Sequence, residues 1–222
     1  MSEKSLNKIY DIKIVLLGES GVGKTSLIKA YFDKEFDPNE KSNLEGKLSF
    51  KSKIINNKKL TINMWDTMGQ EKYRSLIKKL MEGRNIVIFV FDITSRASFL
   101  ELNFWVDYAA QELSREEVLF GVVGNKVDLF DKCEIETTEA EEYAQKIGAL
   151  FTEASASKNK EGFKTFIDIL LEKLVQTPNI IEKLGRTQEE SNIRLEHTPT
   201  RKKKKNAVQI PNNSNTSLDK DY

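Results

Sequence analysis

One glycine-rich stretch of the chain limits the choice of fold more than any other. It fits the pattern G-x-x-x-x-G-K-[ST], and its residues are Gly18, Glu19, Ser20, Gly21, Val22, Gly23, Lys24 and Thr25. The apolar run 12–17 before it is typical of a buried strand, and a helical pattern from Ser26 to Phe32 follows it. A phosphate-binding loop requires this order of strand, loop and helix. We therefore expect an α/β fold, although the loop alone also fits a plain glycine-rich turn into a helix.

The residue types of this loop suit a triphosphate that carries a metal ion. Glycines let the backbone curl until several N–H groups point at one anion. Lys24 adds a positive charge for the terminal phosphates, and Thr25 places a hydroxyl where a bridging Mg²⁺ would sit. The helix that begins here directs the positive end of its dipole at the same anion. The expected ligand is a nucleoside triphosphate with its metal.

Length and composition favour one domain with a tail. The chain has 222 residues and a formal net charge of +1, so its overall charge attracts neither nucleic acid nor membrane. Its single cysteine, Cys133, excludes an internal disulfide and fits a reducing compartment. We expect an N-terminal extension at 1–8, one domain at 9–176 and a mostly disordered tail at 177–222.

The ends of the chain predict no membrane anchor. There is no apolar run for a signal peptide or a transmembrane helix, Ser2 replaces the glycine that N-myristoylation needs, and no cysteine lies near the C-terminus for prenylation. The tail does contain a basic run, 201–205. It fits a solvated patch, weak contact with an anionic membrane, nuclear import or an acidic partner, and we leave these alternatives open.

Hydrophobic patterns predict the rest of the sheet. Alternating residues on both sides of Asn56-Asn57 predict an antiparallel hairpin at a sheet edge. Continuous apolar runs predict strands that are covered on both faces. The further predicted elements are strands at 86–91, 118–124 and 150–154, one helix at about 98–114 and a final helix from about Glu161.

Polar residues follow three of these strands, at the sheet edge where ligands of α/β proteins lie. Asp66 can reach a metal, and Gly69 can present an N–H group to a phosphate. In Asn125-Lys126-Val127-Asp128, the carboxylate of Asp128 can accept from two neighbouring N–H groups, which guanine has and adenine lacks. The stem of Lys126 can lie along the face of the base. The turn Ser155-Ala156-Ser157 can donate a backbone N–H to a base oxygen.

With these motifs in order and each after a strand, the chain resembles the Ras-like small GTPases, and among them the Rab proteins. Segment 60–73 is similar to the Rab switch segment, and 91–99 is similar to the Rab stretch after the fourth strand. The resemblance covers about residues 9–176. It implies a P-loop NTPase fold, the small G domain, whose six-stranded sheet is mostly parallel, with helices on both faces and one antiparallel edge hairpin.

The resemblance also implies roles for single residues. Thr25 would bind Mg²⁺ directly and Asp66 through water, while Gly69 contacts the γ-phosphate and Gln70 orients the attacking water, with Lys24 as the second catalytic residue. Ala156 would donate its N–H to the base oxygen. The expected nucleotide contacts are Gly18, Glu19, Ser20, Gly21, Val22, Gly23, Lys24, Thr25, Ser26, Asp66, Gly69, Asn125, Lys126, Asp128, Ser155, Ala156 and Ser157.

Carried over to this chain, the resemblance predicts a molecular switch in vesicle trafficking or signalling. The protein would bind GTP or GDP with Mg²⁺ and hydrolyse GTP slowly. Its expected partners are the guanine nucleotide, an exchange factor, a GTPase-activating protein and effectors, and we expect a monomer that does not bind nucleic acid. Its expected location is cytoplasmic, with transient contact with endomembrane surfaces.

Two departures from the family pattern support an alternative. The family's first switch contains a threonine that completes the Mg²⁺ shell, and three ways of aligning it reach Asn43, Leu44 or Glu45, with Ser42 the nearest hydroxyl. Met68 replaces a small residue in the second switch. The alternative is a GTP-binding scaffold with impaired cycling. An ATP-using P-loop enzyme is a further alternative, which the Asn125–Asp128 motif argues against.

Overall fold

In the computed structural model of the protein, residues 8–33, 47–66, 81–158 and 160–187 are described. This part of the chain forms one sheet with helices on both faces. The strands are β1 (Lys8–Leu17), β2 (Lys47–Ile55), β3 (Lys58–Asp66), β4 (Ile86–Asp92), β5 (Leu119–Asn125), β6 (Leu150–Ala154) and β7 (Gly185–Thr187). The helices are α1 (Lys24–Tyr31), α2 (Arg96–Leu100), α3 (Leu102–Glu112), α4 (Thr137–Lys146), α5 (Lys160–Val175), α6 (Pro178–Leu184) and a 3₁₀ helix, η1 (Val127–Lys132).

The order of the strands confirms the predicted architecture. Six strands lie in the order β2-β3-β1-β4-β5-β6, and every neighbouring pair is parallel except the β2–β3 hairpin at the edge. All seven residues of β4 are buried, as its continuous apolar run predicts. Because β1, β3, β4, β5 and β6 run parallel, their carboxyl ends all lie at the same edge of the sheet.

Each face of the sheet has its own apolar core. On one face α1, α5 and α6 supply side chains such as Leu27, Phe163 and Ile180. On the other face α2, α3 and α4 supply side chains such as Phe99 and Trp105. Burial of apolar surface on both faces fixes the sheet rigidly, and the loops at its carboxyl edge therefore have a firm support.

The helix predicted at 98–114 is two helices in the structure. The first begins earlier, at Arg96, because the hydroxyl of Ser95 caps it by accepting from the N–H of Ser98 at 3.3 Å. At Glu101 the ψ angle is −11°, and its N–H is shared between the carbonyls of Ala97 and Phe99. The helical turn at Glu101 is therefore tighter than a regular α-helical turn, and it separates α2 from α3. The apolar pattern of the sequence continues through this position and does not indicate the break.

Regular secondary structure extends beyond both predicted boundaries of the domain at 9–176. The first eleven residues of the predicted tail are described, and within them α6 buries Ile180 and Ile181 and β7 follows it. β7 pairs antiparallel with the start of β1, and Thr187 lies opposite Lys8. Since β4 pairs with β1 only from Ile14 onward, this edge of β1 is open to another strand. Residues 188–222, with the basic run 201–205, lie outside the described part.

No helix among the described residues is both long enough and apolar enough to cross a membrane.

Candidate functional site

The glycine-rich loop lies against the ends of β4 and β5. At Gly18, an added Cβ would lie 2.1 Å from the carbonyl oxygen of Val90. Gly23 has a φ of +98°, and a Cβ there would lie 2.2 Å from the Nδ2 atom of Asn125. Both contacts are too short for any side chain, so the glycines are required by close packing as well as by backbone conformation.

The ammonium group of Lys24 folds back over this loop. Its Nζ donates to the carbonyl oxygens of Gly18 at 2.9 Å and Glu19 at 2.8 Å, and the residue is only 6% exposed. A buried cation needs acceptors around it, and the loop carbonyls supply them. The positive charge is therefore held above the loop, at the N-terminus of α1, where both the charge and the helix favour an anion.

Thr25 and Asp66 meet directly beside Lys24. The Oγ1 of Thr25 donates to the Oδ1 of Asp66 at 2.9 Å, across 41 residues of sequence. Thr25 lies in the first turn of α1, and Asp66 ends β3 with only 5% of its surface exposed. A hydroxyl and a carboxylate are hard oxygen donors of the kind that Mg²⁺ prefers, and this ion usually takes its remaining ligands from phosphate and water. The two residues therefore fit the predicted metal role.

Some of the predicted site residues lie outside the described part of the chain. These are Gly69 and Gln70 of the second switch, together with Met68, and Ser42, Asn43, Leu44 and Glu45 of the first switch. Their roles stay predictions. Ser26, which was also predicted to contact the nucleotide, is described and lies in the first turn of α1.

Asn125 connects the predicted guanine motif to the phosphate loop. Its Nδ2 donates to the carbonyl oxygen of Val22 at 2.7 Å, and the residue is 1% exposed. Its Oδ1 is buried and has no donor among the described residues. A buried amide oxygen without a donor costs about 1–3 kcal/mol, so this atom suits a donor supplied by a ligand. The two halves of the predicted site thus form one continuous structure.

Asp92, which was not among the predicted site residues, holds the side chain of Lys126. The Nζ of Lys126 lies 2.6 Å from the Oδ2 of Asp92, at the end of β4. The other oxygen, Oδ1, accepts from the backbone N–H and the hydroxyl of Thr94 at 2.9 and 2.7 Å. Lys126 itself has a φ of +70°, which is uncommon for a residue with a side chain. The sequence offered one signal for this contact, because Asp92 is a charged residue directly after the fully apolar run 86–91.

Asp128 is held by two serines of the turn after β6. The hydroxyl of Ser155 donates to Oδ1 at 2.5 Å, and that of Ser157 donates to Oδ2 at 3.0 Å. Burial favours a raised pKa for Asp128, but these two hydrogen bonds and the charge of Lys158 hold the pKa below its ordinary value. The carboxylate is therefore ionised at neutral pH and can act as a bidentate acceptor. Ala156 lies between the serines and is 6% exposed.

A cavity of about 320 Å³ lies beside the phosphate loop. It separates Glu19 and Gly21 of the loop from Ser98 of α2, and three carboxylates, those of Glu19, Asp92 and Glu101, are among its lining residues. Carboxylates repel phosphate, so this cavity is unsuited to the triphosphate. The phosphates fit better on the side of the loop where Lys24 and Thr25 lie.

Comparison with known proteins agrees with this geometry. Residues 13–176 match the model of the Ras family. The chain is 35% identical to the Ras-related protein Rab-18 of Caenorhabditis elegans over 180 residues. This aligned stretch covers 81% of this chain and 88% of that protein. It is 36% identical over 171 residues to the Ras-related protein Rab-18-B of Danio rerio, and the alignment covers 77% of this chain and 82% of that protein. It is 34% identical over 185 residues to the Ras-related protein Rab-2B of Dictyostelium discoideum, and the alignment covers 82% of this chain and 91% of that protein.

The family match spans every motif on which the resemblance was based, from the phosphate loop to the turn at Ser155. It does not favour the scaffold alternative, because members of this family are GTP-hydrolysing switches. The chain belongs to the Ras family and is a small GTPase related to the Rab proteins.

Proposed function

We propose that this protein binds GTP and GDP with Mg²⁺ in the site built by the phosphate loop, Asp66 and the Asn125–Asp128 motif. GTP hydrolysis in this site converts the protein between two states that partners distinguish. The observation that carries the proposal is the 2.7 Å hydrogen bond from Asn125 Nδ2 to the carbonyl oxygen of Val22. This bond fixes the distance between the base-reading residues and the phosphate-binding residues, as a single nucleotide requires.

Different residues around the loop bind the phosphates, the metal ion and the base. Lys24 and the N-terminus of α1 neutralise the terminal phosphates, since both present positive charge at one place. Thr25 would hold Mg²⁺ directly and Asp66 would hold it through water. When bound, the ion supplies further positive charge that favours transfer of the phosphoryl group. Ala156 would donate its backbone N–H to the base oxygen.

Hydrolysis is assigned to Gln70, which would orient the attacking water at the γ-phosphate contacted by Gly69. Such chemistry is slow without a further cation, and an arginine from an activating protein raises the rate by about 10³–10⁵. Arg84 does not supply that cation within the chain. It lies over the ring of Trp65, just before β4 begins, whereas the phosphate loop follows the opposite end of the parallel strand β1.

The wider role follows from the relatives, which are named as Rab proteins. The protein would act in vesicle trafficking as a monomer that meets an exchange factor, an activating protein and effectors. It would be mainly cytoplasmic and would contact endomembranes transiently, with the basic run 201–205 adding weak attraction to anionic lipid.

The decisive experiment is single-turnover hydrolysis of GTP by the full chain. We expect slow but measurable hydrolysis that Gln70→Leu abolishes and the exposed-site control Ser52→Ala leaves unchanged. Asn43→Thr, which places a threonine at one of the three positions that align with the family's threonine, should change the rate little. If the parent binds GTP but hydrolyses it only after Asn43→Thr, the protein is a GTP-binding scaffold instead. If it binds ATP as tightly as GTP, the assignment of the guanine motif is wrong.

A further inference from the structure

Both oxygens of Asp128 are held by hydroxyl groups from a single turn. Ser155 donates to Oδ1 and Ser157 donates to Oδ2, and the two hydroxyl oxygens lie 3.1 Å apart. The backbone N–H of Lys158 donates to the hydroxyl oxygen of Ser155 at 3.0 Å. Asp128, Ser155 and Ser157 thus form a closed ring, which we call the serine clamp.

The backbone around Asp128 does not hold the carboxylate by itself. Asp128 lies two residues after Lys126, whose φ is +70°, and directly precedes Leu129, whose φ and ψ of −103° and 33° are not helical. A regular helix would restrict the rotamer of an aspartate, but this short irregular turn restricts it less. The orientation of the carboxylate plane therefore depends on its hydrogen bonds.

That orientation decides whether one carboxylate can read two N–H groups at once. The N–H groups at the edge of guanine are parallel and side by side, so both acceptor oxygens must face the same line. Rotation of the carboxylate plane misaligns both hydrogen bonds, and these weaken steeply as their angles depart from linear. Each carboxylate oxygen accepts more than one hydrogen bond, so the serine clamp leaves acceptor capacity on both oxygens for the base.

We propose that Ser157 is a positioning residue for guanine selectivity, which holds Oδ2 of Asp128 so that both oxygens face the base edge. This inference rests on the proposed function, in which Asp128 reads guanine. Ser155 holds the other oxygen from a position that is 1% exposed, so it is also part of the packed turn. Ser157 is more exposed than Ser155, and among the described residues its hydroxyl contacts only members of the serine clamp, so the hydroxyl can be removed with little effect on packing.

The test compares the dissociation constants of GDP and of inosine diphosphate, which lacks the exocyclic amino group of guanine. For the full chain we expect Ser157→Ala to reduce the preference for GDP about tenfold, the usual effect of losing a hydrogen bond to a charged group. Ser157→Thr retains the hydroxyl and should restore the preference. Ser52 is an exposed serine on β2, so the control Ser52→Ala should leave the preference for GDP unchanged.

The outcomes separate this inference from the function on which it rests. If the parent prefers GDP over inosine diphosphate and Ser157→Ala shows the same preference, Ser157 does not position Asp128 and the inference fails alone. An equal loss of affinity for both nucleotides together with a lower thermal midpoint would show a merely structural role, which also overturns it. If the parent binds GDP and ADP equally, the guanine reading by Asp128 fails, and the inference fails with it.

Discussion

Gly23 and Asn125 are 102 positions apart in sequence, yet a Cβ on Gly23 would lie 2.2 Å from the amide nitrogen of Asn125. The phosphate loop and the guanine motif are therefore in direct contact, and neither can shift alone. The same amide nitrogen donates to Val22, the neighbour of Gly23.

This contact predicts different results for two glycines of the loop. Gly23→Ala should weaken GDP binding about 100-fold, because the new methyl group displaces Asn125 and its hydrogen bond to Val22. Gly21→Ala is the matched control. Gly21 also has a positive φ, +82°, and so carries a similar strain of about 1–2 kcal/mol, but its Cβ would meet no atom within 4 Å. Fluorescence titration with a labelled GDP measures both, and equal losses would contradict the steric argument.

The ion pair between Lys126 and Asp92 predicts a second effect on binding. Asp92→Asn keeps an oxygen that can accept from Thr94 but removes the charge that holds the Nζ of Lys126 at 2.6 Å. We expect the affinity for GDP to fall about tenfold, because the lysine side chain is no longer fixed against the base. Isothermal titration of the full chain measures it.

The control for this variant is Asp131→Asn, which removes an exposed carboxylate from η1 and should leave the affinity unchanged. If both variants bind GDP like the parent, the ion pair does not contribute to the site.

Sequence reasoning found the main residues of the site but not the contacts between them. The motifs located Lys24, Thr25 and Asp128 because phosphate, metal and guanine chemistry each require fixed residue types at fixed spacing. Asp92 was missed because its role depends on β4 and β5 lying side by side, with Asp92 opposite Asn125. Pairing between strands brings distant residues together, and a local pattern does not contain that information.

The serine clamp predicts how guanine binding depends on pH. Asp128 must be ionised to accept two N–H groups, and its pKa lies below the ordinary value because Ser155 and Ser157 donate to it against the effect of burial. Protonation of Asp128 should therefore not reduce the affinity for GDP until the pH approaches about 4, near the ordinary pKa of aspartate. The terminal phosphate of GDP takes up a proton at about pH 6 in every variant, so the parent and the variant are compared at each pH. In Ser157→Ala one of these donors is lost, the pKa rises, and the decline in affinity should begin at a higher pH.

The measurement is the dissociation constant of GDP at several pH values between 7 and 4, at constant ionic strength. The same sign applies to folding, because a carboxylate with a lowered folded pKa stabilises the protein above its unfolded pKa and loses that contribution as the pH falls through the folded pKa. Identical pH profiles for the parent and Ser157→Ala would show that Ser157 does not influence the titration of Asp128.

The fold was predictable where hydrophobic periodicity is strong and less so where it is short. The continuous apolar run of β4 and the alternating pattern of the β2–β3 hairpin each predicted a strand that the structure contains. The ordered segment formed by α6 and β7 was missed, since seven helical and three strand residues are too few for a clear period. Its order comes from tertiary contacts, namely burial of Ile180 and pairing with β1, which a single segment does not display.

This C-terminal segment predicts how far the chain can be shortened. A chain that ends at Thr187 should keep the stability of the full chain. A chain that ends at Gln176 loses β7 and two buried isoleucines, and we expect its free energy of unfolding to fall by about 3–6 kcal/mol. Urea denaturation of the three proteins measures this, and equal midpoints for all three would contradict a structural role for α6 and β7.

Point substitutions separate packing of α6 from the effect of chain length. Ile180 is 3% exposed, so Ile180→Ala should cost about 2–4 kcal/mol through lost burial and the cavity left behind. Ile169 lies on α5 and is 48% exposed, so Ile169→Ala removes the same atoms at a cost of less than about 1 kcal/mol. A similar small cost at both positions would mean that α6 is not packed on the core in solution, and the shortened chain should then be as stable as the full one.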